Sequence, residues 1–267
     1  MSGLVMTGVT DPGMMRDRNE DALMLKPETG FAVLADGMGG HLAGEVASAM
    51  AVDIISRCIE DALETPPAKD APGMEVSAEA AVLISAIRQA NTAIYEASQS
   101  KPEYNGMGTT VVVTLFHDSK VCVAHVGDSR IYRYRNEHLA QLTEDHSMVQ
   151  ELLRRGLISP EEARTSANKN LVTRALGVEP SVQVDVAEQS VEKEDLYLLC
   201  SDGLSDVLED SDVELLLRTF GKNLEDAGRQ IVTEVNSKGG PDNVTVVLVR
   251  AGKKFSRSRT AAKDVDA

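Results

Sequence analysis

Apolar residues recur along the chain in two rhythms, and the switches between them mark the elements. Residues 3–9 and 21–26 read as short strands around a polar loop. FAVLA (31–35) is a continuous apolar run, the pattern of a buried strand. Between Glu45 and Leu63, Val46, Met50, Ile54 and Cys58 recur at four-residue spacing. Ala47, Ala51, Ile55 and Ile59 form the adjacent row, which predicts a helix with one wide apolar stripe. TPPAKDAPG (65–73) reads as a loop. A second helix follows, with Ala80, Leu83, Ile84, Ile87, Asn91 and Ile94 on one face.

The rhythm then changes. TTVVVTLF (109–116), KVCVAHV (120–126) and RIYRYR (130–135) read as strands joined by short polar links such as HDSK and GDS. The segment 143–180 is polar and interrupted. It offers a short helix at 147–155, a helix start at SPEEA with Ser159 before Pro160, and a loop. DLYLLC (195–200) is a strand, 210–219 and 223–236 are helices, and NVTVVLVR (243–250) is a closing strand. The tail KKFSRSRTAAKDVDA has no periodicity and is expected to be disordered. One domain over 1–252 and a tail over 253–267 follow.

Strands joined by such short links pair antiparallel, and helices that come in pairs rather than after each strand argue against a doubly wound parallel sheet. The expected class is α+β: a central β-sandwich of two antiparallel sheets flanked by pairs of helices.

Composition changes this picture in three places. Tryptophan is absent and aromatics are 3% of the 267 residues, so Val, Leu, Ile, Ala and Met must build the core. No apolar run approaches the ~20 residues that span a bilayer, and MSGLVMTGVTDPG lacks the charged start and apolar stretch of a signal peptide. A soluble, cytoplasmic protein is expected. Cys58, Cys122 and Cys200 lie in apolar segments without metal-ligand spacing, which suits reduced core thiols. The formal net charge of −15 repels nucleic acid and anionic membranes, and it demands a local reversal of sign if the substrate is an anion.

The acids that carry the chemistry sit at strand boundaries. Asp36 follows FAVLA and precedes Gly37. Asp202 follows LYLLCS and precedes Gly203. Asp128 follows CVAHVG, and Asp242 precedes the last strand after GGP. Glu20 and Asp21 stand together in RDRNEDA. Any one Asp-Gly pair is most simply a turn. Strand ends converge in a sandwich, however, and buried carboxylates must be compensated. Few basic residues lie nearby, so a bound cation is the natural compensation. Carboxylates suit hard ions such as Mg²⁺ or Mn²⁺, and one carboxylate bridges two cations about 3.5–4 Å apart in two-metal hydrolases. Asp36 is the expected bridge, with Gly37 leaving its own carbonyl open to a metal. Cations would reverse the local charge, and Arg16 has the planar fork that grips phosphate oxygens.

RDRNEDA, LADGMGGH, MGTTVVV, HVGDSRIYRY, LTEDHS, LLCSDGLSD and GGPDNVTVVLV occur in that order. In this the chain resembles the metal-dependent serine/threonine protein phosphatases (the PPM or type 2C family), and most of all their compact bacterial members, over roughly residues 5–250. The resemblance implies a sandwich with the metals at one end. It implies Arg16 as the phosphate-binding arginine, Asp36 as the bridging ligand with the Gly37 carbonyl on one metal, and Asp202 and Asp242 on the other. Glu20 and Asp21 resemble acids that hold metal-bound waters, and Asp128 with Asp202 resembles a third-metal site. Two Mn²⁺ or Mg²⁺ per chain, with a possible third, are therefore expected. The segment from about 146 to 171 matches a variable flap beside the site.

The implied reaction is hydrolysis of phosphoserine or phosphothreonine by in-line attack of a water that bridges the two cations. The implied partners are phosphorylated proteins and a serine/threonine kinase, with no nucleic acid and no membrane, and the chain is expected to be a monomer. Some relatives carry histidine directly after the DG. Here Met38 stands there and donates no proton, which leaves His41 or a water on the third metal as the acid. Two rivals remain: a non-catalytic binding member, against which the presence of Asp36, Asp202 and Asp242 argues, and a small-molecule phosphomonoesterase.

Overall fold

The long apolar runs are explained by strands buried on both faces. In β3 (Phe31–Met38), Phe31, Val33 and Ala35 enter one core while Ala32 and Leu34 enter another. In β5 (Val111–His117), Val111, Val113 and Leu115 alternate with Val112 and Phe116 in the same way. On the facing sheet, β10 (Leu196–Cys200) sends Leu196, Leu198 and Cys200 outward and Tyr197 and Leu199 inward, and β11 (Val244–Ala251) follows the same period of two. The architecture is therefore four layers, helix–sheet–sheet–helix, around three apolar cores. This is the computed structural model of the chain, and it describes residues 3–40, 42–64, 76–164, 166, 168 and 171–252.

One sheet has the order β1-β11-β10-β7-β8, with β1 at Leu4–Asp11, β7 at Arg130–Arg135 and β8 at His138–Gln141. The other runs β2-β3-β5-β6-β9, with β2 at Asp21–Lys26, β6 at Lys120–Val126 and β9 at Asp185–Ser190; β4 (Gly108–Thr109) pairs the end of β3. Every paired strand is antiparallel. Between the sheets, the rings of Phe116 and Tyr197 meet edge to face with centroids 5.2 Å apart.

The helices cover the outer faces. α1 (Ala43–Glu64) buries Ala47, Ala51, Ile55 and Ile59 completely, and α2 (Ala78–Ser100) packs beside it with Leu83, Ile87 and Ile94. Ser77 caps α2 by accepting from the Ala80 N–H at 3.1 Å. On the other side, α6 (Asp210–Phe220) and α7 (Leu224–Ser237) cover β10 and β11 with Val213, Leu217, Ile231 and Val235. Between β8 and β9 lie α3 (Met148–Arg154) and α4 (Pro160–Arg164), and α5 (Asp202–Ser205) is a single turn after β10. Ser159 and Glu162 form a reciprocal cap at the start of α4, as SPEEA suggests.

The sandwich class is as expected, but β4, β8, β9 and α5 were not visible in the pattern. β9 is an edge strand with DVAEQS half exposed, so it shows no apolar run; pairing with β6 forms it. β3 continues three residues past FAVLA because Asp21 pairs Asp36, and β4 pairs Gly37 and Met38. Cys122 and Cys200 are buried free thiols and Cys58 is a half-buried one. Among the described residues, no helix is long and apolar enough to cross a membrane. The loop expected at 65–73 and the tail at 253–267 lie outside the described residues.

Leu199 is fully buried between the sheets. Leu199→Ala should therefore lower unfolding stability by about 2–5 kcal/mol in urea melts. A loss below about 1 kcal/mol would mean that the layer between the sheets does not hold them together.

Candidate metal centre

The ladder geometry forces acids together. Asp21 opens β2 and lies directly opposite Asp36 in the β2–β3 register, so both side chains share a face. Like charges in that position destabilise a sheet unless something lies between them. Asp21 and Asp202 both lie near enough to the Asp36 carboxyl to repel its charge. Asp202 arrives from the end of β10 and Asp242 from the residue pair before β11. Asp128 arrives from the turn after β6 and is buried.

Local hydrogen bonds fix these positions. Asp21 Oδ2 accepts from Ser201 Oγ at 2.9 Å and from Thr245 Oγ1 at 2.6 Å. Its other oxygen, Oδ1, is buried and receives no donor. The Asp36 carbonyl accepts from the Thr110 N–H at 2.9 Å and from Thr109 Oγ1 at 2.8 Å. Asn243 holds the segment between β1 and β2: its Nδ2 donates to the carbonyls of Pro12 (3.0 Å) and Arg18 (2.7 Å), and its Oδ1 accepts from the Glu20 N–H at 2.8 Å. Ser48, from α1, donates to the Glu20 carbonyl at 2.5 Å. Arg16 Nη2 donates to Asp242 Oδ2 at 2.8 Å.

Gly37 is required for packing. A Cβ there would lie 2.2 Å from the Gly44 carbonyl oxygen of α1 and 2.6 Å from that of Glu20. The glycine run thus lets the start of α1 and the Glu20 backbone close on the end of β3.

The electrostatics show how much compensation is missing from the protein alone. Burial pushes Asp36 well above the ordinary carboxylate range, and Asp21, Asp202 and Asp128 push it further. Burial, then Asp128, Asp206 and Asp242, raise Asp202 to about 8. Burial raises Asp21 to about 6 against the hydrogen bonds from Thr245 and Ser201. Burial and Asp145 raise Asp128 to about 6. Burial also raises Glu20. Arg16, tied to Asp242, is raised. An orphaned carboxylate oxygen and carboxylates that cannot all ionise together are what a hard divalent cation would resolve.

The structure brings Arg16, Glu20, Asp21, Asp36, Gly37, Asp128, Asp202 and Asp242 to one end of the sandwich. Met38 follows as β3 residue, paired with Gly108; His41 lies outside the described residues. From Asp128 and Asp202 a cleft of about 630 Å³ runs beneath α3 and α4, walled by Val149 and Leu153 on one side and Ser205 and Leu208 on the other. The residues that sequence reasoning passed over are the holders: Asn243, Ser201, Thr245, Thr109 and Ser48. Thr245 had one visible signal, a hydroxyl inside the buried strand NVTVVLV.

Two tighter donor groups occur elsewhere among the described residues. In one, His117 sits between Glu79 (3.7 Å) and Glu188 (3.4 Å), at the far end of β5. In the other, His146 and His125 join Asp185, whose carboxylate is paired with Arg174 at 2.7 Å.

Comparison with known proteins gives the family. The family profile described as "Protein phosphatase 2C" matches residues 16–236. The chain belongs to the protein phosphatase 2C family. It is thus a metal-dependent protein phosphatase. It is 42% identical over 243 residues to the serine/threonine phosphatase stp of Listeria monocytogenes serotype 4b (strain F2365), covering 90% of this chain and 93% of that one. The crystal structure of the Mycobacterium tuberculosis serine/threonine phosphatase PstP/Ppp superposes with a TM-score of 0.82 at 34% identity, over 94% of this chain and 99% of that one. The catalytic domain of PstP in complex with two manganese ions superposes with a TM-score of 0.81, at 34% identity and the same coverage.

A carboxylate whose folded pKa is raised binds more protons folded than unfolded, so stability falls as pH rises between its two pKa values. In metal-stripped protein, Asp21, Asp128 and Asp202 set that window from about 4 to about 8. The melting temperature of EDTA-treated protein should therefore fall across that range, and Mn²⁺ should flatten the decline. Equal slopes with and without Mn²⁺ would show that no cation neutralises these acids.

Proposed function

We propose that this chain hydrolyses phosphoserine and phosphothreonine monoesters of proteins, with Asp36, Asp202 and Asp242 as direct ligands of two divalent cations, Mn²⁺ or Mg²⁺. The observation that carries the reading is the convergence of Asp21, Asp128 and Asp202 on Asp36, with Asp242 acting on Asp202, beside an Asp21 oxygen that has no donor. The relatives named as serine/threonine phosphatases support the substrate class, and the PstP complex with two manganese ions supports the cation count.

Bound there, such ions supply Lewis acidity and an activated water for in-line attack on phosphorus. The chain's own residues do the rest. Asp36, shared between the ions, and the Gly37 carbonyl would hold them together with Asp202 and Asp242; Asp128 with Asp202 would hold a third, and Glu20 and Asp21 would hold their waters. Arg16 grips the phosphoryl oxygens. Its contact to Asp242 is half exposed, and exposed pairs are worth little, so exchange for a doubly charged phosphate is favourable. The cleft beneath α3 and α4 receives the peptide beside the phosphate, and the described part of the segment 146–171 acts as a flap over it. The catalytic domain spans residues 1–252, and the phosphates it removes are placed by a serine/threonine kinase.

Asp202→Asn should abolish release of phosphate from a phosphothreonine peptide, a loss of at least about a hundredfold. The far-ultraviolet dichroism should stay unchanged, and the metal-stripped protein should melt no lower than wild type, because a carboxyl that burial and its acidic neighbours disfavour has been removed. Wild-type turnover should require Mn²⁺ or Mg²⁺ and stop with EDTA. Retained turnover in Asp202→Asn would overturn the ligand assignment, and preference for sugar phosphates over the peptide would overturn the substrate class.

A further inference from the structure

His146 is buried at the base of the flap and is absorbed by none of the roles above. Its backbone and its ring both hold Gly127, the residue before Asp128. The His146 N–H donates to the Gly127 carbonyl at 2.9 Å. The Gly127 N–H donates to His146 Nδ1 at 3.0 Å. An amide only donates, so Nδ1 is the acceptor and Nε2 carries the ring proton. That proton faces Asp185 Oδ2 at 3.3 Å. Arg174 Nη1, 2.9 Å from Nε2, directs its own protons to Asp185 Oδ1 (2.7 Å) and the Gln183 carbonyl (3.3 Å). Burial, with His125 and Arg174 nearby, pushes His146 down to about 4, which keeps the ring neutral. The ring also stacks on His125, with centroids 4.5 Å apart.

Gly127 has nowhere else to go. Its φ is +111°, and a Cβ there would lie 2.4 Å from Thr110 Cβ. Thr110 donates its N–H to the Asp36 carbonyl. Gly127 is therefore wedged between His146 on one side and Thr110, which is hydrogen-bonded to the Asp36 carbonyl, on the other. The returning end of the flap fastens to the same place. The Thr173 N–H donates to the His146 carbonyl at 2.8 Å, and Leu176 exchanges two backbone hydrogen bonds with Thr109 at 2.8 and 3.1 Å.

We infer that His146 is a positioning residue that sets the place of Asp128 through Gly127, and so couples the flap to the third cation position. The inference rests on the reading of Asp128 as a ligand there. His146 touches neither substrate nor cation. A ring that accepts from Gly127 N–H while its Nε2 faces Asp185 fixes the turn in one conformation. Loss of the acceptor leaves a buried N–H unpaired and lets Asp128 swing.

The test counts bound Mn²⁺ per chain by the electron paramagnetic resonance signal of free Mn²⁺, across a titration of the full chain. Asp128→Asn should lose the weakest class of site and keep the tighter ones. His146→Leu should weaken that same class by about tenfold or more, the scale of outer-shell effects on metal affinity, and leave the tighter classes unchanged. His146→Asn places an amide oxygen near the Nδ1 position, so it should stay within about threefold of wild type. Should His146→Leu fail to fold, His146→Gln, which reaches toward Asp185 but offers no acceptor to Gly127, carries the same expectation. Unchanged Mn²⁺ binding in the Leu and Gln variants, or equal weakening of every class, would overturn the positioning role. If Asp128→Asn itself keeps every class, the third-position reading falls first, and this inference falls with it.

Discussion

Everything at the functional end of this molecule follows from one electrostatic constraint: carboxylates of like charge are forced together where strands end. The β2–β3 register places Asp21 opposite Asp36, and the ends of β10 and β6 add Asp202 and Asp128. No rearrangement of side chains relieves this, because the ladder positions are set by burial of Val33, Leu34, Val113 and Val247 in the cores. The fold therefore manufactures a deficit of positive charge. Among the described residues the protein offers it half-exposed Arg16, Arg130 beside Asp128, Arg18 near Glu20, and some hydroxyls. On the proposed reading divalent cations make up the remainder, and the apolar cores and the acidic cluster are two consequences of the same strand register.

The holders around the acids have a common logic. Asn243, Ser201, Thr245, Thr109 and Ser48 use neutral donors and acceptors to fix backbone and carboxylate positions without neutralising charge. A lysine in those places would satisfy the acids outright and leave no affinity for a cation. The net charge of −15 then ceases to conflict with an anionic substrate. Repulsion acts at long range, while the sign at the phosphate is set within the few ångströms that the cations dominate.

Much of this was legible in the order of residues. The two-sided strands betrayed themselves as unbroken apolar runs, α1 as a four-residue repeat, and the acids by recurring at strand ends beside glycine. What the sequence hid has physical reasons. β9 forms by pairing at an edge, so DVAEQS carries no apolar signal of its own. Gly37 looked like an opening for a metal-facing carbonyl; its packing reason, the Gly44 and Glu20 carbonyls within 2.6 Å of a would-be Cβ, depends on residues that meet only in the fold. His146 stood inside a recognised motif, LTEDHS, yet its grip on Gly127 joins residues 19 apart and cannot be read from spacing.

The central claim is that Asp36 is the shared ligand of cations gathered by these carboxylates. The most direct measurement is the anomalous scattering of crystals soaked in Mn²⁺, collected at the manganese edge. The account requires two strong peaks that share Asp36, one of them also within coordination distance of Asp202 and Asp242. Peaks confined to His117 or to His125 and His146, with none at Asp36, would contradict it.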